Sequence, residues 1–300
     1  MTVVNFENDA VEAARFHKIR RENPLAFAGV YRWEDLPNKP AIETWKTGFL
    51  DWNGKVAFAP GMVSVVTGLP GSGKTHMMAQ VWHYIVEKYG LRALIASFEC
   101  APKPYYGRYL REFIGRRREA EMSEQQLREA DKHISDHYLF MHHPEETPEL
   151  SWFLDTARIV VQREGAKIIQ LDPWNRLESQ RNKDETEPEY IARCLREVAV
   201  FAKDLDVHVQ IIAHPAKRAS LRRDFPPELE DISGAMHWWN MIDQGIVIDR
   251  EPWKAGSRCY DATFYHRKAR FEDIGYPCSL DMRFNPQTRV FESVMTNTNA

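Results

Sequence analysis

Val63-Ser-Val-Val-Thr67-Gly68-Leu69-Pro70-Gly71-Ser72-Gly73-Lys74-Thr75 is the stretch on which the reading of this chain turns. Its first five residues are apolar and largely β-branched, bounded by glycines, which is the pattern of a buried strand. The next eight fit GxxxxGK[ST] without deviation. Lys74 to Tyr89 contains neither Pro nor Gly, so a helix follows and Gly90 stops it. A strand, a Gly-rich turn and a helix in this order build a phosphate cradle. The glycines let backbone N–H groups turn inward around phosphate oxygens, and the helix N-terminus adds a favourable dipole. Within Gly68–Thr75, Lys74 brings positive charge to β/γ phosphates and the Thr75 hydroxyl completes a Mg²⁺ shell. The expected ligands are a β/γ-phosphate-bearing nucleotide and Mg²⁺.

Outward from this stretch, strands and helices alternate. Strands are expected at Arg92–Phe98, Lys167–Asp172 and Val207–Ala213. Helices are expected at Tyr105–Arg118, Ser123–His133, Glu149–Glu164 and Pro188–Leu205, with Ser123 and Gln126 as a capping box. The end of the chain is β-rich, with candidate strands at Gly245–Asp249, Cys259–His266, Cys278–Phe284 and Arg289–Ser293. Such a pattern predicts an α/β fold: a mainly parallel sheet flanked by helices, with an antiparallel extension at the C-terminal end. Residues 1–43, broken by prolines after a short helix candidate at Val11–Arg21, read as an arm or linker, and 44–300 as the main domain.

Three residues stand at the C-terminal ends of expected parallel strands, where open α/β sheets bind ligands. Glu99 follows RALIASF, Asp172 ends KIIQLD and His214 follows VQIIA. Asp172 suits second-shell coordination of Mg²⁺. Glu99 can orient and deprotonate an attacking water, and His214 can sense a γ-phosphate. Each alone is an ordinary cap or polar bystander; together, after a P-loop, they point to nucleotide hydrolysis.

Composition narrows the classes further. Lys and Arg number 40 against 43 Asp and Glu, a formal charge of −3, so nucleic acid is not held by bulk charge and any such contact needs a local basic patch. No apolar run approaches the ~20 residues of a membrane span, and no membrane partner is expected. The four cysteines show no metal-type spacing. With the acidic N-terminus, they suggest reduced thiols and a cytoplasmic location.

The stretches VVTGLPGSGKT, LIASFE, IIQLDPWNRLE, ETEPEYIAR, VHVQIIAHPAK, DISGAMHWWNMIDQGIVIDRE and YHRKARFEDIG, followed by LDMRFNPQTRVFE, carry a family likeness in family order from Thr44 to Ser293. The chain resembles the RecA-fold motor domain of the superfamily-four ring helicases, most of all the Twinkle-like and phage primase-helicases, and DnaB-type helicases more distantly. The resemblance implies a helicase motor that hydrolyses ATP with Mg²⁺ and moves on single-stranded DNA, 5′ to 3′, as a hexameric ring with nucleotide between subunits, in a bacterial or phage-type replication setting. It implies catalytic roles for Lys74, Glu99 and His214, with Thr75 and Asp172 at the metal. Arg270 matches an arginine finger supplied in trans and Lys268 its basic partner. Arg250 and Phe284 match positions that sandwich the base. The primase module that often precedes this motor is not expected in the ~60 residues before the P-loop, so a primase would be a separate partner. The arm matches a linker that packs on the next subunit.

Lys217, Arg218, Arg222 and Arg223 lie in a Pro-flanked loop. As a charge run alone they read as a solvated surface; the resemblance implies a channel loop gripping DNA phosphates. Arg116-Arg117-Arg118 reads as an exposed helix face with i,i+4 pairs, and Trp238-Trp239 as buried beneath the sheet extension. His142-His143 lacks a metal-ligand set, and His76 carries no assigned role. Two other readings share the P-loop: a RecA-like DNA-binding ATPase that forms filaments or loads another protein without unwinding, and a small-molecule kinase. The β-rich end is misplaced for the lid a kinase needs.

Overall fold

A computed structural model describes residues 30–36, 42–99, 101–142, 148–216, 225–250 and 261–294. The chain divides into two units, Met1–Ile42 and Glu43–Ala300. In the first, the described residues contain one 3₁₀ turn, Trp33–Asp35; Val11–Arg21 lies outside the described residues.

The second unit begins with a two-stranded antiparallel ribbon, β1 (Trp45–Lys46) and β2 (Ala57–Phe58). The phosphate-loop strand β3 (Val63–Thr67) and helix α1 (Lys74–Tyr89) follow, at the bounds expected from sequence. Then come β4 (Ala93–Ser97), α2 (Gly107–Gly115), α3 (Glu124–His137), β5 (Tyr138–Met141), α4 (Leu150–Glu164), β6 (Ile168–Asp172), α5 (Glu187–Leu205) and β7 (His208–Ile212). The chain closes with α6 (Ala235–Met241), β8 (Gln244–Arg250), β9 (Asp261–Ala269), β10 (Cys278–Asn285) and β11 (Val290–Ser293).

Nine strands form one sheet in the order β11-β10-β9-β8-β3-β7-β6-β4-β5. β8, β3, β7, β6, β4 and β5 run parallel, and β9, β10 and β11 continue antiparallel from β8. Every residue of β3, β4, β6 and β7 is buried, because helices cover both faces of the parallel part. One core joins α1, α2 and α3 to the ribbon and the antiparallel strands through Trp52, Phe58, Trp82, Phe113 and Phe264. The other joins α4, α5 and α6 to the opposite face through Phe153, Leu195, Phe201 and Trp238.

Capping chemistry sets several helix ends. Ser123 and Gln126 form the expected capping box at α3, and Thr186 and Glu189 form a second at α5. Two expectations are corrected. The helix expected to reach Arg118 stops at Gly115, and Arg116 is left-handed with φ 51°. Arg116–Arg118 therefore lie on a turn, not on a helix face. Their acidic neighbours pair elsewhere: Glu119 with Arg111, and the buried Glu112 with Arg289 at 2.9 Å. Trp238 is buried as expected, but against Trp174, with ring centroids 5.2 Å apart, and not beneath the antiparallel extension. Trp239 is only partly buried.

Candidate active site

The parallel topology places the ends of β3, β7, β6 and β4 side by side. Gly68, His214, Asp172 and Glu99 stand at or just beyond those four ends. Gly68 has φ +151°, and a Cβ there would lie 2.1 Å from the Ile248 carbonyl oxygen, so no other residue fits. Gly73 caps α1 in the left-handed conformation, φ +90°, turning the chain from loop to helix. The Ser72 hydroxyl in this loop is buried without a hydrogen-bond partner. An orphaned donor of this kind beside a helix N-terminus suits an anionic ligand.

Lys74 is 5% exposed, and its Nζ donates to the carbonyls of Gly68 at 2.8 Å and Leu69 at 3.0 Å. Burial pushes the amine down to about 8, while the Asp172 and Glu99 carboxylates push it back up. Thr75 Oγ1 donates to Asp172 Oδ2 at 2.8 Å. Asp172 is 3% exposed, and burial raises its carboxyl to about 6; the Thr75 hydrogen bond acts against that rise and the nearby Glu99 adds to it. A hydroxyl and a carboxylate this close form an oxygen set that fits Mg²⁺ with retained waters. Glu99 Oε2 lies 3.5 Å from His214 Nε2. The backbone N–H of His214 donates to Asn175 Oδ1 at 2.9 Å, and its Nδ1 is buried without a partner. Burial, and then Lys74, hold the His214 imidazole below its ordinary range.

A cavity of about 520 Å³ opens over these residues, and Pro70, Gly71, Gly73, Lys74, Thr75, Glu99 and His214 line it together with Arg250 and Phe284. Sequence reasoning left out several of its walls. Arg289 lines the cavity with its guanidinium 5.1 Å from the Phe284 ring centre, and it is tied to Glu112. Tyr105, Arg108 and Tyr109 come from the start of α2 and the turn before it. His76 sits among Tyr109, Phe113, Phe284 and Phe291, with Nε2 3.1 Å from the Arg289 carbonyl oxygen. Burial pushes its imidazole down to about 4, so it stays neutral. The one sequence signal for His76 was its place two residues into the P-loop helix.

Lys268 and Arg270 are not in this cavity. β9 brings them beside the start of β8, at the Val63 end of β3 and so at the opposite end of the sheet from Gly68. Arg270 Nη1 lies 2.8 Å from Asp243 Oδ1, and Nη2 donates to the Asn240 carbonyl at 2.8 Å. Asp243 Oδ2 accepts from the Val63 N–H at 2.9 Å. Lys268 Nζ donates to the Ile242 carbonyl at 2.7 Å and to that of Trp239; burial lowers its amine to about 8, helped by the neighbouring Arg270. Lys217, Arg218, Arg222 and Arg223 lie outside the described residues.

Fold and site together define a RecA-like P-loop ATPase. The profile of the DnaB-like helicase C terminal domain matches residues 45–292. The chain belongs to that family, a class of ATP-hydrolysing helicase motor domains. It is 29% identical over 213 residues to the Twinkle homolog protein, chloroplastic/mitochondrial, of Arabidopsis thaliana, a match covering 68% of this chain and 30% of that one. The chain thus spans less than a third of that curated relative. A solved DnaB-like replicative helicase, described with its interactions with primase, matches with TM-score 0.68 at 17% identity, covering 84% of this chain and 62% of the other. A KaiC-like protein from the archaeon Pyrococcus horikoshii matches with TM-score 0.57 at 15% identity over 84% of this chain and 99% of the other. These two likenesses establish the RecA-like fold. The curated relative is by name an organellar protein, which overturns the expectation of a cytoplasmic, bacterial or phage-type setting. Among the described residues, no helix is long and apolar enough to cross a membrane.

Proposed function

We propose that this chain hydrolyses ATP at the interface between copies of itself and couples that hydrolysis to movement along single-stranded DNA and to duplex unwinding. The observation that carries the reading is the convergence of Lys74, Thr75, Glu99 and His214 on one cavity, with Asp172 from the neighbouring strand end hydrogen-bonded to Thr75 behind its wall.

Lys74 would leave its loop carbonyls for the β/γ phosphates, and its depressed amine would regain full charge there. Thr75 and ionised Asp172 would hold Mg²⁺, which when bound neutralises charge on the phosphates. Glu99 would take the proton of the attacking water, and His214, 3.5 Å away, would report the γ-phosphate to Glu99. Arg250 and Phe284 at the far wall would hold the base, with Arg289 backing the Phe284 ring.

Arg270 stands a full strand away from its own phosphate loop. It would therefore serve the site of a neighbouring copy, as the resemblance implies, with Lys268 as its partner. A ring of six such subunits would bring Lys217, Arg218, Arg222 and Arg223 to a central channel, where they grip DNA phosphates during 5′ to 3′ movement. Residues 1–43 would pack on the next subunit. A primase would be a separate partner, in keeping with the primase interactions described for the solved DnaB-like helicase.

The test is strand displacement on forked DNA with ATP and Mg²⁺, with Lys74→Ala as the inactive control. Displacement that needs a 5′ single-stranded tail supports the reading. Turnover stimulated by single-stranded DNA without displacement would assign the chain to the non-unwinding RecA-like ATPases.

A further inference from the structure

We propose that His83, Glu87 and His133 form a binding site for a divalent first-row transition metal ion, Zn²⁺ above all, which clamps the phosphate-loop helix α1 to α3. His83 and Glu87 stand one turn apart on α1, so both project from one face. His133 comes from α3 opposite. One ligand atom from each of the three lies within 4.8 Å of the other two.

The cluster is poorly satisfied as it stands. His83 is 6% exposed, and its Nδ1 is buried without a hydrogen-bond partner. His133 Nε2 lies 2.5 Å from Glu87 Oε1 but makes no hydrogen bond, so the pair is close without being aligned. A cation accepts lone pairs from both groups at once and removes the need for that alignment. Buried imidazole nitrogens normally find partners, and these two face one another across a helix–helix seam.

The donor set selects the ion. Two imidazoles and one carboxylate suit Zn²⁺ and its first-row neighbours, whereas Mg²⁺ and Ca²⁺ prefer oxygen alone. Zn²⁺ bonds of about 2.0–2.2 Å require the three groups to draw together. The Glu87 and His133 side chains, 47% and 26% exposed, have room to do so. Their exposure also leaves a fourth position open to water.

The neighbourhood holds α3 in place. The His133 and His137 rings meet at a tilt with centroids 4.6 Å apart, and His137 Nδ1 lies 3.0 Å from the Leu91 carbonyl oxygen just past the end of α1. Arg92 donates to the Asp136 carbonyl at 3.2 Å. The site is distinct from the nucleotide cavity, because His83 follows Lys74 by more than two helical turns, roughly 13 Å along the axis, and none of the three residues lines that cavity.

The experiment titrates ZnCl₂ into the full chain after chelation. Excess Mg²⁺ and ADP keep the nucleotide site occupied, and Co²⁺ serves as a spectroscopic probe. The expected result is one ion per chain, a Co²⁺ spectrum without a thiolate charge-transfer band, and a raised unfolding midpoint. His133→Gln and, separately, Glu87→Gln should each weaken Zn²⁺ binding by at least about 100-fold, the upper end of what loss of a mere outer-shell partner costs. Basal ATPase should be unchanged in both. Glu87 is half exposed, so its variant keeps the test valid if His133→Gln fails to fold. Absence of stoichiometric binding, a thiolate band, or unchanged affinity in the folded variants would overturn the proposal.

Discussion

Asp172→Asn should make the nucleotide-free protein more stable while abolishing its Mg²⁺-dependent turnover. The carboxyl is almost fully buried, and its pKa rises from 3.8 to about 6. At about 1.4 kcal/mol per pH unit of that gap, keeping Asp172 ionised in the folded state costs close to ~3 kcal/mol above pH 6. The sign follows from proton counting. Between pH 4 and 6 the folded state holds a proton that the unfolded state has released, so this group's contribution to stability is largest below pH 4 and is lost as pH rises through 6. Asparagine carries no charge, and its Oδ1 can still accept from Thr75, which preserves the 2.8 Å contact. Urea unfolding without nucleotide or divalent ion should therefore find the variant more stable by about 2–3 kcal/mol at pH 8, and nearly equal to the parent at pH 4. Adding Mg²⁺ and ATP should stabilise the parent more than the variant. A variant no more stable at pH 8, or a difference that does not shrink towards pH 4, would refute the reasoning. In that case desolvation of Asp172 is not the stress at this site.

Glu99→Gln should bind nucleotide normally and lose about 10²–10⁴ in turnover, the range for a missing general base; near-parental ATPase would remove Glu99 from the chemistry. Replacing Lys217, Arg218, Arg222 and Arg223 by Ala should lower the slope of log affinity for single-stranded DNA against log salt by about 0.7 per lost phosphate contact, with basal ATPase retained. An unchanged slope returns the loop to solvated surface. Arg270→Ala should bind ATP but hydrolyse it about 10³-fold or more slowly. Mixing it with Lys74→Ala should restore activity with a maximum at intermediate ratios. A flat response in verified mixed oligomers would make Arg270 structural.

The strands and helices around the P-loop were legible because each signal is local. Val63–Thr67 is apolar between glycines, and α1 runs from a GK pair to Gly90. Glu99, Asp172 and His214 could be placed because strand ends in a parallel sheet converge. Other features carry no local signal. β5 follows α3 directly, without Gly or Pro between them, so no local signal separates Tyr138–Met141 as a strand. Arg289 owes its position to a left-handed turn with φ 63° and to Glu112, 177 residues earlier. The enclosure of His76 depends on rings from α2, β10 and β11. Lys268 and Arg270 were singled out by resemblance alone, and their hydrogen bonds to Trp239, Asn240 and Ile242 follow from the β8–β9 register, which no short window reveals.

Asp243 grips the first amide of β3 with one carboxylate oxygen and Arg270 with the other. β3 is a rod of five fully buried residues, about 3.3 Å each, and its far end becomes the phosphate loop. The guanidinium and the loop are thus mounted on the two ends of one stiff part, with no hinge in between. Displacing either end carries the other with it, as on a connecting rod. The separation between guanidinium and loop is thus fixed by the strand's own length, about 16 Å.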